Sequence, residues 1–551
     1  MHLTRRTLLK TTALTGAGAG AALALPAATA TAAPAAYAHP GLLHTAADLT
    51  RMATKVKADS APYTAGYAKL TANRHSRTDW NPRPQQTVYR GSGSPQNYTL
   101  LYNDLHAAYQ NGLRYHVSGD EAHADTAVRI LNSWSGKLTS LQGSADRFLA
   151  AGLYGYQAAN AAELVRDHPD FELDRFRTML TKVFATVSDD FLRHHNNAVV
   201  TNYWPNWDLT ALACVLATGI FCDDRAQVAR AVDYFKNGDG LGAVRNAIPV
   251  VHEDGLAEWL EAGRDQGHTL LGVGLMGTVC EMAWNQGIDL YGYDDSRFLK
   301  GAQYVAKWCL GEPVPYTPNT RRKGAIGGWS GQETASAAAS VDPNTTRPVW
   351  AMIANHYTKR RGLDASYVTR VAAKSAPEGG GGDYGPNSGG YDQLGFGTLA
   401  FTRDRATRAQ QLAGAGAGAA AGAGAETGAD AANPTPGTNA AAGPDAGTNP
   451  APSASAADHP RTQNLAATGP TDLAPWAAAT GITALAAGFL LLRRRNRNRE
   501  LQLQAPAPAP APAQTYAQPQ AQTHAQSQAH PQPRTESQPQ PRRPRQRRRP
   551  R

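Results

Sequence analysis

Arg264 and His268 stand four residues apart in the run Glu258-Trp259-Leu260-Glu261-Ala262-Gly263-Arg264-Asp265-Gln266-Gly267-His268. On a helix that spacing puts both on one face. Leu271, Leu275, Val279 and Met282 carry an apolar stripe onward, so the pair is expected at the inward end of a buried helix. A cation beside an imidazole on an inward face is costly unless the two have partners or a task. The plain alternative is an Arg264–Glu261 salt bridge with His268 as a satisfied core residue. Gly267, Gly272, Gly274 and Gly277 weaken the helix and would let another element or a ligand approach closely.

A second run, Thr201-Asn202-Tyr203-Trp204-Pro205-Asn206-Trp207-Asp208-Leu209, gathers three aromatics and two amides before an apolar helix. Aromatic faces stack on sugar rings, and amides bond carboxylates and hydroxyls. Tyr203, Trp204, Trp207, Trp259 and Gln266 are the candidate sugar-binding residues. The alternative makes Trp204 and Trp207 core anchors and Asn206 an N-cap.

Cys214, Cys222, Cys280 and Cys309 form no CxxC and no Cys/His metal spacing, so a zinc site is not expected. All four fall in apolar stretches, where a small buried thiol is the favoured reading. The candidate chemistry calls for no metal and no cofactor.

The elements that must position these residues are helices. Leu101-Tyr102-Leu105-Ala108-Tyr109-Leu113 and Phe176-Met179-Val183-Val187-Phe191 step by threes and fours. Asp223 or Asp224 is expected to cap a helix ending at Asn237-Gly238. After Pro377, glycine clusters surround short runs such as Gly397-Thr398-Leu399-Ala400-Phe401, which read as loops or short strands. Many helices with short joins over residues 38–404 give an all-α fold, an α/α toroid of helical hairpins. A solenoid would need a fixed repeat, and none is found.

Outside that domain the composition changes. Residues 1–33 hold Arg5-Arg6 and an Ala/Gly/Leu run, an export signal of twin-Arg type that implies the twin-Arg export machinery. Residues 405–464 are an Ala/Gly/Pro-rich linker expected to be disordered. Residues 465–495 contain Leu465-Ala466-Ala467-Thr468-Gly469, an uncharged apolar span long enough for one transmembrane helix, and Arg493-Arg494-Arg495. That order resembles the sorting signals of LAxTG-preferring sortases. The resemblance implies cleavage between Thr468 and Gly469 and transfer to peptidoglycan. Residues 496–551 are a Pro/Gln/Arg-rich tail, expected to be disordered. From Arg493 onward there are 13 Arg and two Glu, which more than accounts for the chain's formal net charge of +10. The folded part is near neutral, so the basic balance does not argue for a nucleic-acid partner. An exported, surface-anchored protein is expected.

From about Asn97 to Tyr357 the sequence resembles the alginate lyase family, and more closely its branch acting on β-linked polyuronates. The residues that carry the resemblance are Tyr203-Trp204-Pro205-Asn206-Trp207-Asp208, Ala262 to His268, Glu281-Met282-Ala283-Trp284-Asn285-Gln286-Gly287, Val314-Pro315-Tyr316-Thr317 and the Gly-rich run Gly380 to Gln393. One departure stands out. Familiar members place a histidine directly after an Asn-Asn pair, whereas Asn196-Asn197 is followed here by Ala198. The resemblance implies an anionic polysaccharide substrate, alginate or glucuronan-like, cleaved by β-elimination. A base removes the C5 proton, the 4-linked oxygen leaves, and donors neutralise the adjacent carboxylate as charge develops. Asn206 and Arg264 are assigned to the carboxylate, with His268 joining them or acting as base. Tyr316 is the tyrosine expected to supply acid or base, with Tyr203 and Tyr357 as alternatives.

Two other classes compete. A glycoside hydrolase would need two carboxylates facing the bond, which Asp254, Glu258, Glu261 and Asp265 could supply. A non-catalytic surface glycan-binding protein would use Trp204, Trp207 and Trp259.

Overall fold

In the computed structural model of the chain, residues 36–411 are described, other than 93, 94 and 329. The export segment, most of the linker, the LAATG run with its apolar span, and the Arg-rich tail lie outside the described residues. Among the described residues, no helix is long and apolar enough to cross a membrane.

The expected helices form, and their ends follow local chemistry. Thr45 opens α1 (Ala46–Lys57) with a capping box: its side chain accepts from Asp48 N while Asp48 bonds back to Thr45 N. α2 (Tyr63–Ala72) leads to a short strand, β1 (Thr87–Arg90). The Leu101-to-Leu113 stripe is α3 (Tyr98–Ser118), which stops at Gly119 in the left-handed conformation, φ 74°. Asp120 caps α4 (Glu121–Ser135). β2 (Ser140–Gly143) pairs in parallel with β1, and α5 (Asp146–Glu163) follows. α6 (Leu173–Met179) passes through a π-helical turn into α7 (Thr186–His194), so the Phe176-to-Phe191 stripe is one rod with a bulge. α8 (Pro205–Phe221) starts with Pro at its first position, where the missing N–H is no loss. Asp224 caps α9 (Arg225–Asn237), and α10 is the single turn Val244–Ala247.

The second half holds α11 (Gln266–Asn285), α12 (Tyr293–Cys309), α13 (Trp350–Asn355), α14 (Ser366–Ser375) and α15 (Gly397–Ala400). Gly397–Ala400 is therefore one helical turn and not a strand. The strands lie earlier, in an antiparallel hairpin of β3 (Asn319–Gly324) and β4 (Ser330–Ala335).

Helices α3, α5, α8 and α11 pack each on the next, with α4 on the side of α3 and α9 on the side of α8. The core helices α5, α8 and α11 are buried almost all round, which is why their sequences are apolar without a polar stripe. Gly152 makes the α5–α8 contact possible: a Cβ there would lie 2.3 Å from Thr210 Cγ2. Truncating a fully buried side chain such as Leu212 to alanine should cost about 2–5 kcal/mol. The four cysteines are unpaired, and all but the half-buried Cys222 are buried.

Candidate active site

The chain does not enter α11 as one continuous helix. Leu260–Gly263 forms a 3-10 turn, Arg264 follows it, and Asp265 is fully extended at φ −171°. Arg264 thus lies outside the helix, not on its face as the spacing predicts. It still reaches His268, because the break folds its side chain back. Asp265 caps α11, its Oδ1 accepting from His268 N at 2.8 Å. Asp265 Oδ2 stands 2.7 Å from His268 Nδ1, and Arg264 Nη2 stands 3.1 Å from His268 Nε2. A guanidinium can only donate, so Nε2 accepts and the ring proton sits on Nδ1, donated to Asp265. His268 is held as the neutral tautomer with the Nε2 lone pair toward Arg264. Its side chain is 27% exposed. Burial works to raise the Asp265 carboxyl, but the bonds from His268 and the charge of Arg264 hold it down at about 2.

Behind this pair lies Glu261, fully buried. Its carboxylate accepts from Arg264 Nη1 at 3.0 Å, from Asn206 N at 3.2 Å and from Asn206 Nδ2. Burial pushes Glu261 up from its usual range against the opposing pull of Arg264. The Arg264–Glu261 salt bridge is therefore present, while His268 is half-exposed and not a core residue. Asn206 is 1% exposed at the second position of α8, with its amide on Glu261. The N-cap is Trp204. The expectation that Asn206 meets a substrate carboxylate is corrected: an internal carboxylate already occupies its amide. Asn206 anchors the carboxylate that anchors Arg264.

Tyr316 lies against Gly263, where a built Cβ would sit 2.2 Å from its hydroxyl. The hydroxyl donates to Leu260 O at 2.9 Å. Burial, with the charge of Glu258 adding to it, pushes this hydroxyl up to about 12. That keeps the phenol protonated and makes a resting-state base unfavourable. The two alternative tyrosines are elsewhere. Tyr357 is fully buried and donates to Tyr291 O at 3.0 Å, and the buried Tyr203 accepts from Asn196 Nδ2 at 3.0 Å.

Most of the aromatic expectations are corrected. Trp259 is fully buried and its ring covers Gly272. Trp204 is 7% exposed, sandwiched against Leu241 and Leu260. Tyr203 and Trp207 pack on each other with ring centroids 4.6 Å apart, and on Phe191. Only Trp207 is partly exposed. Gln266 clips a loop, its amide giving to Asp342 O at 3.1 Å and its carbonyl accepting from Asp342 N at 3.0 Å. Buried rings cannot stack on a sugar, and a saturated amide has nothing left to offer one.

Other residues enter unannounced. Arg321 of β3 is buried over the Trp204 ring at 4.4 Å, donates to Thr201 O and Asn202 O, and pairs with Glu333 of β4. It staples the hairpin to the loop before α8. Arg347 bonds Asp392 at 3.0 Å, and its Nη2 lies 3.9 Å from a Cβ built on Gly267. It thus borders the start of α11 beside His268. Nothing in their spacing marks either arginine, since each is brought in from far along the chain.

A second histidine–carboxylate pair is closed. His195 Nε2 stands 2.9 Å from Asp208 Oδ1 and 3.2 Å from the Tyr234 hydroxyl. Tyr234 donates to the same carboxylate at 2.7 Å and Gly242 N at 3.0 Å. Asp208 is fully buried. His195, Asn196 and Asn197 all take left-handed backbone, φ 45°, 54° and 57°.

The carboxylates that a hydrolase would need are engaged. Glu258 is buried, accepting from Thr317 N at 2.7 Å, Glu261 is sealed, and exposed Asp254 caps Leu256 N. Among the described residues, no group of three or more His, Cys, Asp and Glu is placed to hold a metal ion.

The family model described as alginate lyase matches residues 51–315, which include α11 and its break. A search of curated proteins gave no match. Among solved structures, alginate lyase A1-III from Sphingomonas species A1 is 16% identical, with 65% of this chain and 95% of that chain covered and a TM-score of 0.40. A Tyr-to-Phe variant of A1-III complexed with tetrasaccharide gives 16%, the same coverage and 0.42. An alginate lyase from Bacteroides ovatus is 16% identical, covering 50% and 84%, with a TM-score of 0.37. These superpositions are loose and assign no role to any residue here. The family match identifies the helical segment 51–315 as a polysaccharide-lyase domain.

Proposed function

We propose that the domain cleaves a uronate-containing polysaccharide, alginate or glucuronan-like, by β-elimination at Arg264 and His268. One observation carries this: a half-exposed neutral imidazole with its basic nitrogen against a guanidinium, both positioned from behind by carboxylates. The substrate carboxylate would draw the Arg264 guanidinium to itself. That neutralises the charge that otherwise opposes C5 proton removal. It also frees the Nε2 lone pair of His268. His268 then takes the C5 proton, the electron pair forms the C4=C5 bond, the C4–O4 bond breaks, and the 4-linked oxygen takes a proton from the imidazolium. Tyr316 is the alternative donor for that oxygen, once its bond to Leu260 O is released. The successive packing of α3, α5, α8 and α11 supports reading the helices as an α/α toroid.

The test is absorbance of the unsaturated product when the purified protein meets alginate, glucuronan, hyaluronan and chondroitin. A rise on a polyuronate that His268→Ala abolishes supports the reading. New reducing ends without absorbance would move the assignment to a hydrolase.

We further infer export and attachment to the cell surface, from the twin-Arg segment and from the order of LAATG, apolar span and Arg493-Arg494-Arg495. Leu465, Thr468 and Gly469 would be read by a sortase, with peptidoglycan as acceptor. Thr468→Ala should shift the protein from the wall fraction to the membrane fraction. Unchanged fractionation would sink the sortase reading.

A further inference from the structure

Trp204 is closed to a sugar, yet two cations share its ring. The Arg321 guanidinium of β3 lies 4.4 Å from the ring centroid and that of Arg264 lies 6.0 Å from it, both within cation–π reach. Arg321 is buried and tied to Thr201 O, Asn202 O and Glu333. Those bonds hold the cation to the ring and the ring to the hairpin. Leu241, Leu260 and Ala335 of β4 pack around the same indole. Burial holds the Arg321 guanidinium below its usual value; Glu333 opposes this, and the charge of Arg264 adds to it. The two cations therefore feel each other.

Arg264 is otherwise held by its N–H edge. Nη1 goes to Glu261, Nη2 to His268, and Nε lies 3.4 Å from Asp265 Oδ2. An arriving carboxylate must take N–H groups from this set, and the mechanism above takes the one on His268. An aromatic face attracts a cation without consuming any N–H. It therefore restrains Arg264 both before and after that exchange. At 6.0 Å, the outer limit of such contacts, the ring guides the guanidinium and does not lock it. The backbone leading to Arg264 is backed by the same hairpin: a Cβ built on Gly263 would lie 2.7 Å from Ala335 Cβ.

We propose that Trp204 is a positioning residue: its ring seats the Arg264 guanidinium, and the β3–β4 hairpin keeps that seat in place through Arg321. This rests on the lyase reading above. Trp204 touches no reacting atom and acts only through the arginine.

Steady-state kinetics on a polyuronate, run well below every melting point, test the proposal. Trp204→Leu keeps apolar bulk against Leu241 and Leu260 and removes the ring. Its kcat should fall about tenfold with KM changed less than about twofold, because alignment matters most as charge develops. Trp204→Phe retains a weaker aromatic face and should lose only about threefold. Arg321→Met leaves the ring but frees it from the hairpin, so it should give a smaller loss in the same direction. Labelling by the arginine-selective reagent phenylglyoxal, resolved by peptide mass, reads Arg264 without turnover. The Arg264 side chain is 24% exposed, and its labelling should quicken about threefold in Trp204→Leu, the change expected when one weak contact is lost. Should Trp204→Leu fold poorly, Trp204→Phe and Arg321→Met carry the test. Wild-type kcat and wild-type Arg264 labelling in folded Trp204→Leu would overturn the proposal. Faster labelling in that variant, with no unsaturated product from the wild type on any polyuronate, would uphold the seat and sink the lyase assignment instead.

Discussion

Of the histidine–carboxylate pairs among the described residues, the two at His195–Asp208 and His268–Asp265 have opposite fates. His195 and Asp208 are sealed: the carboxylate takes bonds from an imidazole, a phenol and a backbone amide, and no face is left for a ligand. His268 and Asp265 are open: the carboxylate fixes the imidazole by one nitrogen and by the backbone, while the other nitrogen faces a cation at a half-exposed edge. Residue type is the same in both. Saturation separates a group that holds the fold from one that can act, because a buried polar atom with all its bonds made is stable and chemically silent.

The sharpest way to break this contrast is Arg264→Ala. Turnover should fall about 10²–10³-fold, the cost of losing a donor aimed at developing charge. The same change leaves Glu261 sealed without its cation, so stability should drop by about 3–5 kcal/mol. Adding Glu261→Gln should restore much of the stability and none of the rate. Chemical denaturation beside steady-state kinetics reads both, and recovery of the rate in the double variant would mean that Arg264 only supports folding.

Next come the two histidines themselves. His268→Ala should lower kcat by about 10²-fold or more at a near-native melting temperature. His195→Ala should destabilise the protein by about 1–3 kcal/mol, since it strips a bond from a buried carboxylate, while the folded fraction keeps its rate. A large rate loss in His195→Ala at full stability would reverse the assignment of the two pairs.

Asp265→Asn comes third. It should cost about ten- to a hundredfold in kcat, because the tautomer that presents Nε2 is no longer enforced. It should also alter the acid limb of stability. The Asp265 pKa is depressed in the fold, so its contribution is complete above the unfolded value of 3.8 and fades as pH falls toward about 2. Thermal melts across that window should show a shallower fall in the variant than in the wild type. The smallest effect is expected from Tyr316→Phe. If His268 handles both proton transfers, kcat should change less than about fivefold; a loss of about a hundredfold would make Tyr316 the acid.

Much of this was legible along the chain. Helix ends at Asp120, Asp224 and Gly119 obey capping rules that need only neighbours. Arg264 and His268 were visible as unusual residues ahead of an apolar run. The break at Asp265 was not, because an Asp inside a periodic pattern reads equally as a helical residue and as a cap. The aromatics misled for a different reason. A tryptophan suits a sugar and a core alike, and its surroundings are settled by elements as distant as Gly272 for Trp259. The β3–β4 hairpin gave no alternating apolar signal, since Asn319 to Lys323 are all polar. Arg321 and Arg347 gain their settings from contacts across the chain that no local pattern encodes.

The extended residue before α11 has a mechanical side. Two side chains on one helix keep their separation for as long as the helix lasts. Asp265 places a joint between Arg264 and His268, so the arginine rides on the loop while the histidine is bolted to a 20-residue rod. The cation can then travel a short way with an arriving anion without dragging the imidazole along. In this arrangement the loop supplies the clutch and the rod supplies the bearing.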